Sequence, residues 1–454
     1  MNNFASKSLE GTWWIPSVSR KKYSGTLNLD NRNHGRLILH GKQTDLIKLW
    51  PPKEKSVTIH GLLKNKYEYE VSLFNAGMMQ GPALNINAQT NRNSKTTVEY
   101  YTNNVLIGDH LKDENTPYLN AAIVLLTGLE QWCDDTGLSG EMKNDDPSEF
   151  GNTHISLKYK PKRTRHFDLG KGRSIRFISQ YTGPLVFPPH IKKALIEERN
   201  AIEIAFNPKI SIRTLLDELH IWQTFIALGL RRPCRIDKIH VFFPTPNRNF
   251  VCTELIVPGK VPEDRVTDSQ TAPTLFTKTK LSNKLGKCVR GWRNAHDTLA
   301  VPILLFSGTT YQETSYSHAN TLTYLQAIEV LHREKYDGDQ FPTASIRKAV
   351  MKALRNAIPK NLDANFQKEL ANQISFVGSP TLLDRLLQLY DIHREVLSPL
   401  FPDREKDMKE LKDVRNYLKH YAQHKTLTPN LPCKTSGYAG PKKGSYTATG
   451  LSRN

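Results

Sequence analysis

Cysteine is scarce in this chain. Five occur in 454 residues (Cys133, Cys234, Cys252, Cys288 and Cys433), dispersed and odd in number. Such a set fits neither a disulfide framework nor a zinc cage, so free thiols in a reducing, cytoplasmic setting are expected. Long apolar runs are also missing: the longest, residues 121–126 and 299–306, fall far short of the roughly 20 residues a helix needs to cross a bilayer. The opening residues hold no apolar stretch of signal-peptide length behind a basic flank, because Glu10 and the Trp13-Trp14 pair interrupt them. A soluble chain with no membrane contact is therefore expected. Acidic residues are the third shortage, 44 Asp+Glu against 63 Lys+Arg, which leaves a formal charge of +19. That sign suits a polyanionic partner such as nucleic acid, although basicity for solubility alone gives the same number. No carboxylate or histidine cluster stands at metal-ligand spacing, which disfavours a metal-dependent nuclease, and no internal repeat or heptad array is seen.

At 454 residues the chain is about three times the usual domain size of roughly 150, so two or three domains are expected. The first 277 residues read as strands broken by turns. Segments 36–40 and 56–60 run into Gly41 and Gly61, and 67–74 alternates polar and apolar residues at period two. Polar loops are expected at 87–95, 109–116 and 134–152, and helices at 189–201 and 212–230. The second helix carries Leu215, Leu216, Leu219, Trp222, Ile226 and Leu230 on one stripe. Residues 278–297 read as a basic connector. From 298 to about 425 the texture is helical, with Pro342, Pro359, Pro380 and Pro399 in the gaps, and the tail 426–454 is expected to be disordered. The fold class is thus α+β multidomain: a β-rich N-terminal domain with a few helices, followed by an all-α helical bundle.

In the helical half, Arg415-Asn-Tyr-Leu-Lys-His420 places an Arg and a His five apart on the last predicted helix. The spacing alone is weak, and Arg235-Ile-Asp-Lys-Ile-His240 repeats it on a predicted strand, where residues five apart face opposite ways. On a helix, Met408, Leu411, Val414, Leu418 and Tyr421 form the buried stripe and Arg415 sits at its edge. Asn416 and His420 share a polar flank, with Arg415 about 140° from His420. One helix cannot focus both groups on a small target, whereas two copies related by a two-fold axis bring the Arg of one near the His of the other. The alternative is an Arg415 that snorkels along the core edge and a His420 that stabilises a helix end. On the first helix of this half, Glu329 falls between Leu322 and Leu325 where a core residue is expected. A buried carboxylate needs a cation. Arg415 or His420 would serve, His332 and Arg333 compete locally, and a purely structural bridge remains open.

These residues carry a resemblance. Ala327-Ile-Glu-Val-Leu-His-Arg333 followed by Arg415-x4-His420 resembles a HEPN domain of the ApeA type. The first half resembles the β-rich domain that accompanies it, through Gly11-Thr-Trp-Trp-Ile-Pro16, Gly25-Thr-Leu27 and Leu126-Thr-Gly-Leu-Glu-Gln-Trp132. The resemblance implies a prokaryotic anti-phage protein acting by abortive infection. Its HEPN half would cleave RNA without a metal or cofactor, by attack of the 2′-hydroxyl, to leave a 2′,3′-cyclic phosphate. Arg415 would hold the scissile phosphate, His420 would move protons, Asn416 would position the phosphate or the imidazole, and Glu329 would support Arg415. A homodimer through the HEPN domain is expected, with RNA, transfer RNA by the habits of related toxins, as substrate and a phage-derived trigger for the N-terminal domain. A catalytically silent RNA- or nucleotide-binding module is the competing reading.

Other features are weaker. Residues 158–176 contain eight Lys or Arg with Tyr159, His166 and Phe177 nearby. Lys158, Lys160, Lys162, Arg163 and Arg165 there, and Lys419 beside the HEPN motif, are candidate RNA contacts, against a merely solvated strand face. Gly170-Lys-Gly172-Arg173 lacks the spacing of a phosphate loop. Trp13-Trp14 reads as a sheet-core anchor. Leu382, Leu383, Leu386, Leu387, Leu389 and Tyr390 wrap much of their helix, a candidate dimer face.

Overall fold

Alternation of apolar and polar residues builds the first part of the chain. Along 35–42, Leu37 and Leu39 are buried while Arg36 and His40 are exposed, and along 57–64 Val57, Ile59 and Leu63 face inward; residues two apart in a strand share a face. A computed structural model describes residues 7–46, 49, 56–64, 68–80, 95–144, 153–162, 164–186, 194–244, 250–259, 274–311, 317–336 and 341–420. Its strands are β1 Lys7–Ile15, β2 Ser19–Leu29, β3 Gly35–Lys42, β4 Val57–Lys64, β5 Glu68–Gln80, β6 Lys95–Thr102, β7 Asn104–Ile107 and β8 Leu119–Leu126. They continue as β9 Leu138–Asn144, β10 Thr153–Tyr159, β11 His166–Gly170, β12 Arg173–Val186, β13 Ala194–Ile210, β14 Ile236–Pro244 and β15 Phe250–Ile256. The helices are α1 Gln43–Leu46, α2 Leu129–Cys133, α3 Ile212–Leu230, α4 Lys278–Leu281, α5 Leu285–Thr298, α6 Ala300–Tyr311, α7 Ser317–Tyr336, α8 Ala344–Asn356, α9 Ala364–Ile374, α10 Leu382–Ile392, α11 Arg394–Leu397 and α12 Arg404–His420.

Six strands close into a barrel in the order β5-β4-β1-β2-β3-β6, because β6 returns to the end of β5 through Gly77 opposite Tyr101 and Met78 opposite Tyr100. Trp13, Leu27, Leu37, Leu39, Ile59, Leu73 and Tyr100 fill it. Trp13 is fully buried and its indole donates to the Gly25 carbonyl at 3.1 Å. Gly61 is required beside it, since a Cβ there would lie 2.3 Å from the Trp13 ring. The earlier residues of β5 pair instead with β7, and the sheet runs on antiparallel through β15, β14, β8, β13 and β12 to β11 at its edge. A second core lies here, with Leu215, Leu219, Trp222, Ile226 and Leu230 of α3 set among Val124, Trp132, Ile175, Ile204 and Val241. Ser211 caps α3 by accepting from the Thr214 amide, and Arg231 ends it in a left-handed conformation. The hairpin β9–β10 forms a separate two-stranded sheet.

The chain divides into two compact units, Met1–Tyr316 with Gln326–Asp337, and Ser317–Leu325 with Gly338–Asn454. In the second, α10 packs on α12, and their buried apolar positions are Leu386, Leu389, Tyr390, Met408 and Leu418. Arg404 of α12 grips Asp391 of α10 with both ends of its guanidinium, at 2.7 and 2.5 Å, and the Tyr390 hydroxyl donates to the Phe401 carbonyl. The capping box of Thr381 and Asp384 starts α10.

Several expectations change. Residues 194–210, read in part as a helix, are strand β13: Ile202, Ile204 and Phe206 are buried in alternation, and period two wins over the helix-forming Glu and Ala content. The loop read at 134–152 contains β9. The segment 278–297, read as a basic connector, is helical and belongs to the first unit, where Leu285 and Val289 enter the core. Helix α6 joins the same unit, its Tyr311 hydroxyl donating to the Cys234 carbonyl at 2.6 Å. On α10, Leu386, Leu389 and Tyr390 are covered by their own chain and Leu382, Leu383 and Leu387 are half-buried, so the surplus apolar surface expected there is small. Trp14 is half-buried, away from the core that holds Trp13. The tail 426–454, Arg163, the loop 87–94 and the start of the helix read at 189 lie outside the described residues, as do Tyr421 and Cys433.

Candidate functional site

The terminal helix α12 starts after Pro402, where the Asp403 side chain accepts from the Lys406 amide. Met408 and Leu418 are buried, Leu411 and Val414 half-buried, so the stripe expected for this helix is the face it packs. That orientation leaves Arg415 half-buried at the edge and Asn416 and Lys419 exposed. Arg415 Nη1 donates to the Asn416 amide oxygen at 3.3 Å, so the motif's first two residues touch directly. His420 is the last residue of α12, and its side chain lies outside the described residues. The Arg–Asn contact engages one of the five donors of the planar guanidinium.

Glu329 stands on α7, within the segment Gln326–Asp337 that belongs to the first unit, whereas Arg415 belongs to the second. Its side chain is 16% exposed and accepts from Arg333 Nη2, one turn on, at 2.5 Å. Arg333, one of the local cations expected to compete for this carboxylate, is thus one of its partners. His332, beside it, is fully buried.

Of the candidate RNA contacts, Lys158, Lys160, Lys162, Arg165 and Lys419 are all exposed. Lys158 approaches Glu141 across β9–β10 at 3.9 Å. Two of the aromatics near them are engaged within the fold: Tyr159 packs on Tyr181 with ring centres 4.5 Å apart, and Phe177 is buried. His166 is exposed. Gly170, Lys171 and Gly172 all have positive φ and form the β11–β12 turn. A Cβ at Gly172 would fall 1.5 Å from the Asn207 carbonyl oxygen, so this glycine serves close chain approach within a hairpin. Arg235 and His240 lie at and on strand β14, as expected.

Two polar clusters escaped the sequence. In the first, buried Arg293 of α5 reaches buried Glu218 of α3 at 3.1 and 3.2 Å and Asp297 at 2.5 Å. Arg173 and Lys171 stand 3.8 Å from Glu218 and Asp297. The Arg293 guanidinium holds the Asp297 carboxyl below its usual range. A signal was present: Glu218 sits on the α3 stripe one turn from Leu215 and Trp222. In the second, the His60 and His110 rings stack with centres 4.6 Å apart, and Trp14 meets both edge-on. Each histidine places Nε2 2.9 Å from a backbone carbonyl, that of Leu111 for His60 and of Gly61 for His110. Burial pushes the His60 pKa down. Among the described residues, no group of three or more His, Cys, Asp and Glu is placed to hold a metal ion, and no helix is long and apolar enough to cross a membrane.

The family model described as ApeA N-terminal domain 1 matches residues 8–292, and that described as Apea-like HEPN matches residues 322–433. No curated protein and no solved structure matches the chain.

Proposed function

Because the chain belongs to the ApeA-like family, with an ApeA N-terminal domain followed by an Apea-like HEPN domain, we propose that it is a cytoplasmic anti-phage endoribonuclease. The observation that carries the reading is the placement of Arg415-Asn416 at the packed edge of the last described helix of the HEPN match, five residues before His420. The α12 stripe buries Met408 and Leu418 and so turns this polar flank outward.

The chemistry needs little else. RNA carries its own nucleophile, so the 2′-oxygen attacks the adjacent phosphorus, the bond to the 5′-oxygen breaks, and a 2′,3′-cyclic phosphate and a 5′-hydroxyl result. His420 takes the proton from the 2′-hydroxyl or gives one to the departing 5′-oxygen. Arg415 stabilises charge on the non-bridging oxygens, and Asn416 steers the guanidinium it already touches. Glu329 acts on Arg333 in α7 and so supports the site indirectly. Lys158, Lys160, Lys162, Arg165 and Lys419 offer cations to the RNA backbone. A second copy of the chain completes the site by setting the Arg of one protomer against the His of the other, and the N-terminal domain receives a phage-derived trigger.

Purified wild type, Arg415→Ala and His420→Ala, incubated with total transfer RNA in EDTA, test this reading. Cyclic-phosphate ends from wild type alone are expected. Intact RNA in all three, with binding retained, would establish the silent RNA-binding module instead; cleavage that EDTA abolishes would make the reaction metal-dependent.

A further inference from the structure

The two basic stretches of the first unit are more than 100 residues apart in sequence, 158–176 and 278–293, and the fold sets them side by side. Helix α5 lies against the edge strand β11. A Cβ at Gly286 would sit 3.0 Å from the Phe167 ring, and at the other end Lys171 reaches Asp297 at 3.8 Å, so helix and strand run in the same direction. Burial of Leu285, Val289 and Arg293 fixes which face of α5 looks outward, and the Trp292 indole secures it by donating to the Ile221 carbonyl at 2.9 Å.

The cations of this region separate into two groups. Those turned inward have acidic partners: Lys278 with Asp135, Arg293 with Glu218 and Asp297, Arg173 with Glu218, and Arg176 with Glu203. Those turned outward, Lys280, Lys284, Lys287 and Arg290 of α4–α5 and Lys162 and Arg165 before β11, are exposed and have no hydrogen-bond or ion-pair partner among the described residues. Lys284 and Lys287 flank Gly286, and Arg165 lies two residues before the Phe167 that Gly286 touches. Between 278 and 298 the one acidic residue is Asp297, already engaged by Arg293 and Lys171. Like charges held together on a rigidly docked helix repel one another, and a polyanion relieves that repulsion while releasing its counterions.

We infer that the outer face of α5, with the approach to β11, is a binding track for the phosphate backbone of single-stranded RNA. The choice of RNA rests on the nuclease reading above; the track itself rests on charge and geometry. It is sequence-tolerant, because lysine and arginine on phosphates read no bases.

Binding is measured on the full-length chain carrying His420→Ala, which keeps the RNA intact, by anisotropy of a labelled mixed-sequence single strand across a salt series. Lys284→Glu/Lys287→Glu/Arg290→Glu should weaken binding by about tenfold or more and reduce the salt slope by roughly 2. The Gln versions should show a smaller loss in the same direction, guarding against a folding artefact. Lys64→Glu/Lys112→Glu/Lys209→Glu, exposed elsewhere in the first unit, make the same change in net charge and should leave affinity within about twofold. Equal losses in the two triple variants, or no loss in the α5 variant, would overturn the track, and markedly tighter binding of a matching DNA strand would overturn its assignment to RNA. Track-dependent binding by a wild-type chain that leaves RNA uncut sinks the nuclease reading and upholds the track; cleavage with track-independent binding does the reverse.

Discussion

The first unit is built around two large cores in which Trp13, Trp132 and Trp222 are almost wholly excluded from water. In the second, α8 and α9 bury no residue among those described, and Ile346, Leu354, Phe366, Phe376 and Val377 are exposed. The sheet unit is therefore held by its own packing, and its buried ionic groups are paired within it, as Glu218 and Arg293 illustrate. The helical unit has a small core centred on α10 and α12 and leaves Asn416 and Lys419 exposed. On the proposed function, chemistry and stability fall largely to different halves, and substitutions should separate them.

The largest expected effect is on activity alone. His420→Ala should lower RNA cleavage by about 10² to 10⁴-fold, the usual contribution of a general acid or base, with no change in the urea unfolding of the first unit; a parallel loss of stability would erase the distinction. Next comes Glu218→Ala, which leaves buried Arg293 with Asp297 as its remaining counterion and should destabilise the first unit toward the lower end of about 3–5 kcal/mol. Trp222→Ala belongs in the same range, about 3–5 kcal/mol, whereas Leu354→Ala on exposed α8 should cost no more than about 0.5 kcal/mol. Comparable costs for these two would show that α8 is covered in solution.

The smallest effect is on pH. His60 is held neutral in the fold, its pKa lowered chiefly by burial, while the bond to Leu111 and the charges of Glu70 and Asp109 oppose that and His110 adds to it; Lys22 stands over Trp14 nearby. The unfolded chain takes up a proton near pH 6.5 and the folded chain at lower pH. Stability from this group is therefore complete above about pH 6.5 and lost as pH falls through the folded pKa. The unfolding midpoint of the first unit should drop in that window, and His60→Gln should flatten the drop.

The helical half was legible because a 3.6-residue period and prolines in the gaps mark each helix without reference to distant residues; Met408 and Leu418 were placed correctly from this alone. So was the α3 stripe. The barrel was not legible, since its closure depends on Gly77 meeting Tyr101 and β3 meeting β6, contacts with no local signature. Helix α5 was hidden by its own composition: its lysines and arginines suggest a solvated connector, and only the spacing of Leu285, Val289 and Trp292 betrays a packed face. Glu218 stands out on the α3 stripe, but its partner Arg293, 75 residues away, has no local signal that ties it to that position. At the site, Arg415 was placed correctly at the edge of the α12 stripe and Asn416 on its outward flank, while helix geometry does not rank the several cations offered for Glu329, of which Arg333 is one partner.

The ring of six barrel strands lies wholly within residues 7–102, whereas β7 must wait for β15, some 150 residues later, before its second edge is paired. During synthesis the barrel can therefore close early and act as a template, leaving the outer edge of β7 to be covered when β15 arrives. Helix α12, which bears Arg415 and His420, is the last of the described elements to be made. The barrel and much of the sheet have thus had the opportunity to fold before that helix is made.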